Sequence, residues 1–169
     1  SYPEPEGGKS LWNVPNLLMQ KPTAPNFTCT TMLNFTTSDK YLGERTGLVV
    51  MGLDYAAIVM ENTADGLVLN QVVCKEADKG NVEKVIASVP LQSGEVYLRA
   101  KFMDKGMLEK NPLDMKVMVQ FSYSLDGKKF KPLGEAFQAK EGKWIGAKTG
   151  VFCTRPAKER VDGGWVDVD

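Results

Sequence analysis

The sequence has 169 residues, the length of one domain, and its hydrophobic share of 43% is enough for one sizeable core. Its 21 Lys and Arg residues balance 21 Asp and Glu residues, so no net charge attracts nucleic acid or an anionic membrane surface. Histidine is absent, which excludes Ser-His-Asp and Cys-His catalytic machinery and His-ligated metal ions. Only carboxylates, Lys and Tyr remain as candidates for catalysis.

The first residues read as a polar tail. The stretch SYPEPEGGKS has no signal-peptide core, and no apolar run in the sequence approaches the roughly 18 to 20 residues that cross a bilayer. We therefore predict a flexible segment over residues 1–10 and no membrane span. Any export signal would have been removed or would lie on a part outside this sequence.

The apolar segments that follow have a period of two or are short β-rich runs. Residues 27–35 alternate cleanly, which predicts a sandwich strand with one buried face and one wetter face. Further strands are predicted, between turn residues, over residues 47–52, 55–62, 66–74, 82–90, 94–102 and 115–125. Helical spacing is scarce. The sequence therefore predicts an all-β fold, an antiparallel two-sheet β-sandwich that forms a single domain over residues 1–169.

Two features near the C-terminal end complete the pattern. Asp126 and Gly127 lie between alternating runs, which predicts a tight hairpin turn with a positive φ. The final GGWVDVD alternates like a strand but breaks off without a closing turn or polar run. This ending raises the question whether the chain is a piece of a longer protein.

Seven segments, taken together and in this order, carry a family resemblance: SLWNVPNLLMQKP, FTCTTMLNF, ERTGLVVMGLDYAAIVM, VYLRAKF, VQFSYSLDGKKFKPLG, GKWIGAKTGVFC and GGWVDVD. They resemble the C-terminal concanavalin-A-like domain of glycoside hydrolase family 43, whose members are β-xylosidases and α-L-arabinofuranosidases. The resemblance implies a jelly-roll sandwich that follows a five-bladed β-propeller, and we therefore predict that this chain is an excised C-terminal portion of a longer enzyme. It also implies that the three catalytic carboxylates sit in that propeller, so we assign no catalytic residue to this chain.

The same resemblance implies a role for one loop. In the β-xylosidase branch, a loop near the segment that matches GKWIGAKTG sends an aromatic side chain toward the sugar pocket. Lys143 falls at or next to the position of that aromatic residue, and Trp144 lies beside it. Trp144 is thus our candidate for the pocket rim. The alternative is that Trp144 packs in the core at the start of its strand, which is the commoner role of a tryptophan.

Three functions remain open at this point. The first is a non-catalytic accessory sandwich of an enzyme that acts on plant hemicellulose, with the propeller of the same chain as its partner. The second is a carbohydrate-binding module for xylan or arabinan oligosaccharides, for which the available aromatic platforms are Trp12, Tyr55, Tyr123, Trp144 and Trp165. The third is an interface domain, in which apolar residues 11–19 cover the propeller or a missing strand; their plain alternative is an edge strand limited by Pro15. The resemblance also implies an extracytoplasmic location, periplasmic or secreted.

No cofactor is expected. Cys29, Cys74 and Cys153 are widely spaced and form no C-x-x-C pair, so we predict buried free thiols instead of a zinc site. Calcium takes the oxygen ligands that Asp162, Asp167 and Asp169 supply, and a structural calcium ion is the alternative left open. Their spacing is not that of an EF-hand, so we interpret these side chains as solvated strand surface.

Overall fold

The computed structural model describes residues 1–4, 9–24, 26–39, 41–104, 117–140, 146–156 and 163–169. The strands are β1 (Tyr2–Pro3), β2 (Leu18–Gln20), β3 (Phe27–Thr36), β4 (Arg45–Met51), β5 (Tyr55–Thr63), β6 (Gly66–Cys74), β7 (Lys84–Pro90), β8 (Glu95–Asp104), β9 (Val117–Ser124), β10 (Lys131–Pro132), β11 (Phe137–Gln138), β12 (Lys148–Arg155) and β13 (Trp165–Val168). A short 3₁₀ helix, Ala77–Lys79, lies between β6 and β7. Within these ranges, no helix has the length and apolar character needed to cross a membrane.

The strands form two sheets. In the first sheet the order is β1-β12-β4-β5-β6-β7, with β2 beside β12, and only the pairing of β1 with β12 is parallel among the described strands. In the second sheet the order is β10-β9-β8-β3-β13, with β11 beside β9, and every described pairing is antiparallel. The predicted antiparallel two-sheet sandwich is therefore confirmed.

The core lies between the inner faces of the two sheets. On β3, Leu33 and Phe35 are buried in this core, and Phe27 and Cys29 pack against it, as the alternation over residues 27–35 predicts. The first sheet contributes Leu48 and Val50 from β4, Ile58 from β5 and Leu69 from β6, and the second contributes Leu98, Ala100, Val119 and Phe121. Burial of these side chains is the main force that holds the two sheets together.

The first sheet is also covered on its outer face. Every residue of β4 is buried, so Val49 and Met51, which alternate with the core residues, must pack on the opposite side. They form a second apolar cluster with Tyr55 and with Leu11 and Val14 of the N-terminal segment. Residues 11–19 therefore have two different roles. The residues before Pro15 cover the outer face of the first sheet, whereas Leu18 and Met19 belong to the edge strand Leu18–Gln20, which pairs with β12.

The predicted hairpin after β9 is confirmed. Gly127 has φ +71°, and β9 pairs with β10 through Tyr123 and Lys131. The connection is longer than a two-residue loop, because one Asp126 carboxylate oxygen accepts the backbone N–H groups of Lys128 and Lys129 at 2.8 and 2.9 Å. These bonds wrap the chain around the carboxylate and widen the turn.

At the N-terminal end, Tyr2–Pro3 pairs with Thr154 and Arg155 of β12, and residues 5–8 lie outside the described ranges. The flexibility predicted for residues 1–10 stays a prediction. All three cysteines are free thiols: Cys74 is buried, and Cys29 and Cys153 are half-buried.

Candidate functional site

The two predicted rim residues, Lys143 and Trp144, lie outside the described residues, in the connection between β11 and β12. Their role stays a prediction. The structure does describe what flanks that connection: Lys140 precedes it, and β12 begins at Lys148 soon after it. The described residues that hold Lys140 in place therefore define the near end of the segment 141–145.

Asp54 anchors the near end of this segment. It lies in the turn between β4 and β5 and is 5% exposed. One carboxylate oxygen accepts the backbone N–H of Glu76 at 2.8 Å, and the other pairs with the Lys140 ammonium at 2.8 Å. Burial acts to raise the pKa of Asp54, but the Glu76 N–H and the Lys140 charge outweigh burial, and the pKa lies below its usual value. Asp54 is therefore an ionised anchor.

The chain passes unusually close to the β4–β5 turn at Lys140. A Cβ atom on Gly52 would lie 2.1 Å from the carbonyl oxygen of Lys140, a distance that no side chain can occupy. Only glycine allows the two backbones this contact. Gly52 and Asp54 together therefore hold residue 140 against the end of the first sheet, directly before the segment that carries Lys143 and Trp144.

Beside this anchor lies a groove of about 400 Å³. Its lining includes Asp54, Gln71, Lys75, Ile86, Glu135 and Lys140. Gln71 closes the floor: its side-chain amide donates to the Glu135 carbonyl at 2.6 Å and accepts the Glu135 N–H at 2.8 Å. Both polar ends of a buried side chain are thus satisfied, and the two sheets are joined next to the groove.

A second concentration of charge lies under the N-terminal segment. Arg45 is 1% exposed and pairs with Glu4 through Nε at 2.5 Å and with Glu83 through Nη1. Glu83 also accepts the Tyr55 hydroxyl at 2.7 Å. Burial opposes the charge of Arg45, but Glu83 and Glu4 outweigh burial and raise the pKa of Arg45 above its usual value. Burial, and then the Glu83 charge, raise the pKa of Tyr55.

Neither charged cluster has the form of a glycosidase acid/base pair. Such a pair needs one carboxyl group with a raised pKa to donate a proton and a second that remains ionised. Asp54 has a lowered pKa, and Glu4 and Glu83 are held by Arg45. Among the described residues, no group of three His, Cys, Asp or Glu side chains converges to hold a metal ion, and Asp167 and Asp169 are exposed.

The aromatic side chains predicted as sugar platforms differ in their exposure to solvent. Tyr55 is fully buried, with its hydroxyl engaged by Glu83 and by the Leu11 N–H. Trp12 and Tyr123 are half-buried and pack against the two apolar clusters. Trp165 is 58% exposed at the start of β13. Of the platforms in the described ranges, Trp165 is the one that presents most of its side chain to solvent.

A sequence model of the β-xylosidase C-terminal concanavalin A-like domain matches residues 5–169. The chain belongs to this family. Its membership agrees with the two-sheet architecture and with the order of the seven segments that carried the resemblance.

The relatives that this chain matches are considerably longer than the chain itself. A β-xylosidase of Formosa agariphila is 27% identical over 140 residues, which are 80% of this chain and 22% of that protein. A bifunctional GH43-CE protein of Bacteroides eggerthii has a TM-score of 0.70 and 20% identity, and it covers 99% of this chain and 20% of its own.

A third relative is a GH43 glycoside hydrolase with an engineered active site, described as displaying both endo-xylanase and exo-arabinofuranosidase activity. Its TM-score is 0.68, its identity 19%, and the match covers 89% of this chain and 29% of that one. The two structural likenesses show the shared fold. The chain spans between 20% and 29% of the length of these three relatives.

Asp54 can be tested as the anchor of the segment 141–145. We expect Asp54→Asn to lower the free energy of unfolding by about 1 kcal/mol at pH 7, since a charge-assisted hydrogen bond becomes a neutral one and the exposed Lys140 adds little. Because the folded pKa lies below the unfolded value of 3.8, the stabilisation is present above that value and is lost as the pH falls through the folded pKa.

The measurement is urea unfolding of the wild-type chain and of Asp54→Asn between pH 7 and pH 2.5. The difference between wild type and Asp54→Asn should shrink toward low pH. Asp65→Asn, at an exposed turn, is the matched control and should change stability by less than about 0.5 kcal/mol. A difference that is constant with pH would show that the charge of Asp54 has no anchoring role.

Proposed function

We propose that this chain is a non-catalytic accessory sandwich of a family 43 glycoside hydrolase acting on plant hemicellulose. It supports the catalytic propeller of the same enzyme, and its segment 141–145 forms part of the sugar pocket. The observation that carries the proposal is the construction around Asp54, which fixes Lys140 against the end of the first sheet, where the described residues form structural contacts. A scaffold that positions a loop needs this rigidity, whereas a free surface loop does not.

The chemistry of the described carboxylates supports the absence of catalysis. A buried carboxylate that serves as a general acid must be protonated near neutral pH, and Asp54 is ionised instead. Glu4 and Glu83 neutralise Arg45 and are 8% and 2% exposed, so they cannot reach a sugar. The reactive carboxylates of the enzyme then belong to the remainder of the longer chain.

Trp144 is proposed as the aromatic side chain of the pocket rim, with Lys143 beside it. In the longer enzyme, Trp144→Ala should raise KM several-fold with little change in Tm, because a rim residue contacts sugar and not the core. Trp144→Phe keeps an aromatic face and should leave KM close to wild type. A Tm that falls by several degrees with unchanged KM would instead assign Trp144 to the core.

Catalysis by the chain alone can be tested directly. We expect no turnover of 4-nitrophenyl β-D-xyloside or 4-nitrophenyl α-L-arabinofuranoside above the enzyme-free blank. The measurement is release of nitrophenol at high protein concentration, after two orthogonal purification steps. Hydrolysis that stays with the protein through both steps and saturates with substrate would overturn the accessory role.

Location and substrate follow from the same proposal. An enzyme that degrades hemicellulose meets its polymer outside the cytoplasm, so we place the longer protein in the periplasm or in the secreted fraction. Carbohydrate binding by the sandwich itself is the second candidate function. The exposure of Trp165 favours it, since a sugar-stacking residue needs a free ring face.

A further inference from the structure

A groove of about 310 Å³ runs between the edges of the two sheets, on the side away from β7. One wall comes from β1, β2 and β12, and the other comes from β13. The lining includes Tyr2, Asn16, Leu18, Phe152, Trp165 and Val166. The volume is at the lower end of ligand cavities, which is the size of one or two sugar units.

The walls present exposed aromatic and apolar side chains to solvent. Tyr2 is 57% exposed, Trp165 58% and Leu18 77%. Monomeric proteins scatter such residues singly, but here three line one depression. Tyr and Trp combine a flat apolar face with a polar tip, which matches a sugar ring with its C–H faces and its rim of hydroxyl groups.

Asn16 adds a polar group that lacks a partner. Its Nδ2 atom is buried and makes no hydrogen bond, although Asn16 lines the groove. Leaving a buried amide donor unsatisfied is unfavourable, and such an atom in a native protein calls for an explanation. A turn of the Asn16 side chain toward the groove would bring Nδ2 out of this buried position, and donation to a ligand hydroxyl would then remove the deficit.

The charges of the lining residues indicate which ligands the groove can accept. None of its described residues has an Asp, Glu, Lys or Arg side chain, and the formal charge in this part of the lining is the α-ammonium group of Ser1, which donates to the Gly164 carbonyl at 2.8 Å. A cationic ligand would lose hydration there without gaining a counter-ion. The groove therefore suits a neutral ligand better than a cationic one.

We propose that this groove is a binding subsite for a neutral oligosaccharide, in which Tyr2 and Trp165 stack on sugar rings and Asn16 donates to a hydroxyl group. The proposal gives the second candidate function, carbohydrate binding, a specific site. It does not depend on the accessory role, because a sandwich without a sugar site would still support a catalytic domain. Failure of one proposal therefore leaves the other intact.

The test is a titration of the ¹⁵N-labelled chain with xylohexaose, followed by the indole N–H signals. The sequence has 3 tryptophans, so the spectrum contains a small set of signals that Trp165→Phe assigns. We expect the Trp165 signal to shift with a saturating curve in the millimolar range, and the signals of Trp12 and Trp144 to stay in place. Arabinohexaose and xylohexaose carrying glucuronic acid test the choice of neutral sugar.

Variants separate binding from folding. Trp165→Ala and Tyr2→Ala should each weaken binding about two- to tenfold, the loss that corresponds to one aromatic contact. Asn16→Leu removes the unpartnered amide, so it should weaken binding by a similar factor while unfolding in urea at the same or higher concentration. Leu125→Ala, at a residue 64% exposed on the β9–β10 turn, is the control and should change nothing.

Three results would overturn the proposal. One is no indole shift at the highest soluble sugar concentration. Another is a shift of Trp12 or Trp144 without Trp165, which would place the sugar elsewhere. The third is self-association in sedimentation equilibrium that Trp165→Ala abolishes, which would show that a second copy of the chain occupies the groove.

Discussion

Arg45→Ala is expected to lower the free energy of unfolding by about 3–5 kcal/mol, because it leaves two buried carboxylates without their counter-ion. The Arg45 side chain is 1% exposed, and those of Glu4 and Glu83 are 8% and 2% exposed. Water cannot replace the guanidinium without opening the outer face of the first sheet. The measurement is urea unfolding followed by circular dichroism and tryptophan fluorescence.

The control is an ion pair of the same charge type at the surface. Lys79 pairs with Glu76, with the two side chains 66% and 56% exposed. Lys79→Ala should therefore leave the free energy of unfolding close to that of wild type, since exposed pairs gain little and solvent takes over the freed carboxylate. If the two variants lost equal stability, burial would not be the source of the effect.

A compensated variant separates unpaired charge from lost packing. Replacing Glu4 and Glu83 by Gln together with Arg45→Met removes all three charges and keeps the side-chain volumes similar. We expect this triple variant to recover at least half of the stability lost in Arg45→Ala, because buried ion pairs are often replaceable by neutral groups of similar shape. A triple variant as unstable as Arg45→Ala would point to the geometry of the guanidinium instead.

Much of the sandwich could be predicted because the alternation of polar and apolar residues records which face of a strand is buried. β6 has the predicted bounds, Gly66–Cys74, and β3 buries the predicted face. The burial of both faces of β4 was missed. Its near-continuous apolar run is the usual signal of a strand that is covered on both sides. The covering residues, 11–14, are irregular and show no regular alternation of polar and apolar residues that could have identified them.

The charged cluster and the anchor could not be predicted, for a different reason. Arg45 is 41 residues from Glu4 and 38 from Glu83, and strand pairing alone brings them together. Asp54 lies between two predicted strands, and its partner Lys140 comes only after strands β5 to β11 in the chain, so no local pattern connects the two residues. Local pattern fixes faces and turns, whereas ion pairs between distant strands depend on the register of the complete fold.

The same limit applies to the aromatic candidates. Trp12, Tyr55 and Trp165 have equal standing in the sequence, since each adjoins an apolar run. The folded chain buries Tyr55 and exposes Trp165, because the described part of the N-terminal segment covers the outer face of the first sheet, whereas Trp165 lies on the second sheet. Tyr2, which shares the groove with Trp165, has no strand pattern around it that could have identified it.

Leu11→Ala is the prediction that tests whether the cover belongs to the fold. Leu11 is fully buried in the second apolar cluster, and its N–H donates to the Tyr55 hydroxyl at 2.7 Å. Truncation to alanine should lower the free energy of unfolding by about 2–5 kcal/mol, the range for a leucine removed from a packed interior. Leu18→Ala is the matched control: Leu18 follows seven positions later and is 77% exposed, so its loss should stay within about 0.5 kcal/mol. Equal and small effects at both positions would show that residues 11–14 only rest on the sheet. A large effect at Leu11 alone would show that residues 11–14 are part of the folded domain. These residues would then prevent a sugar or a partner from reaching the outer face of the first sheet.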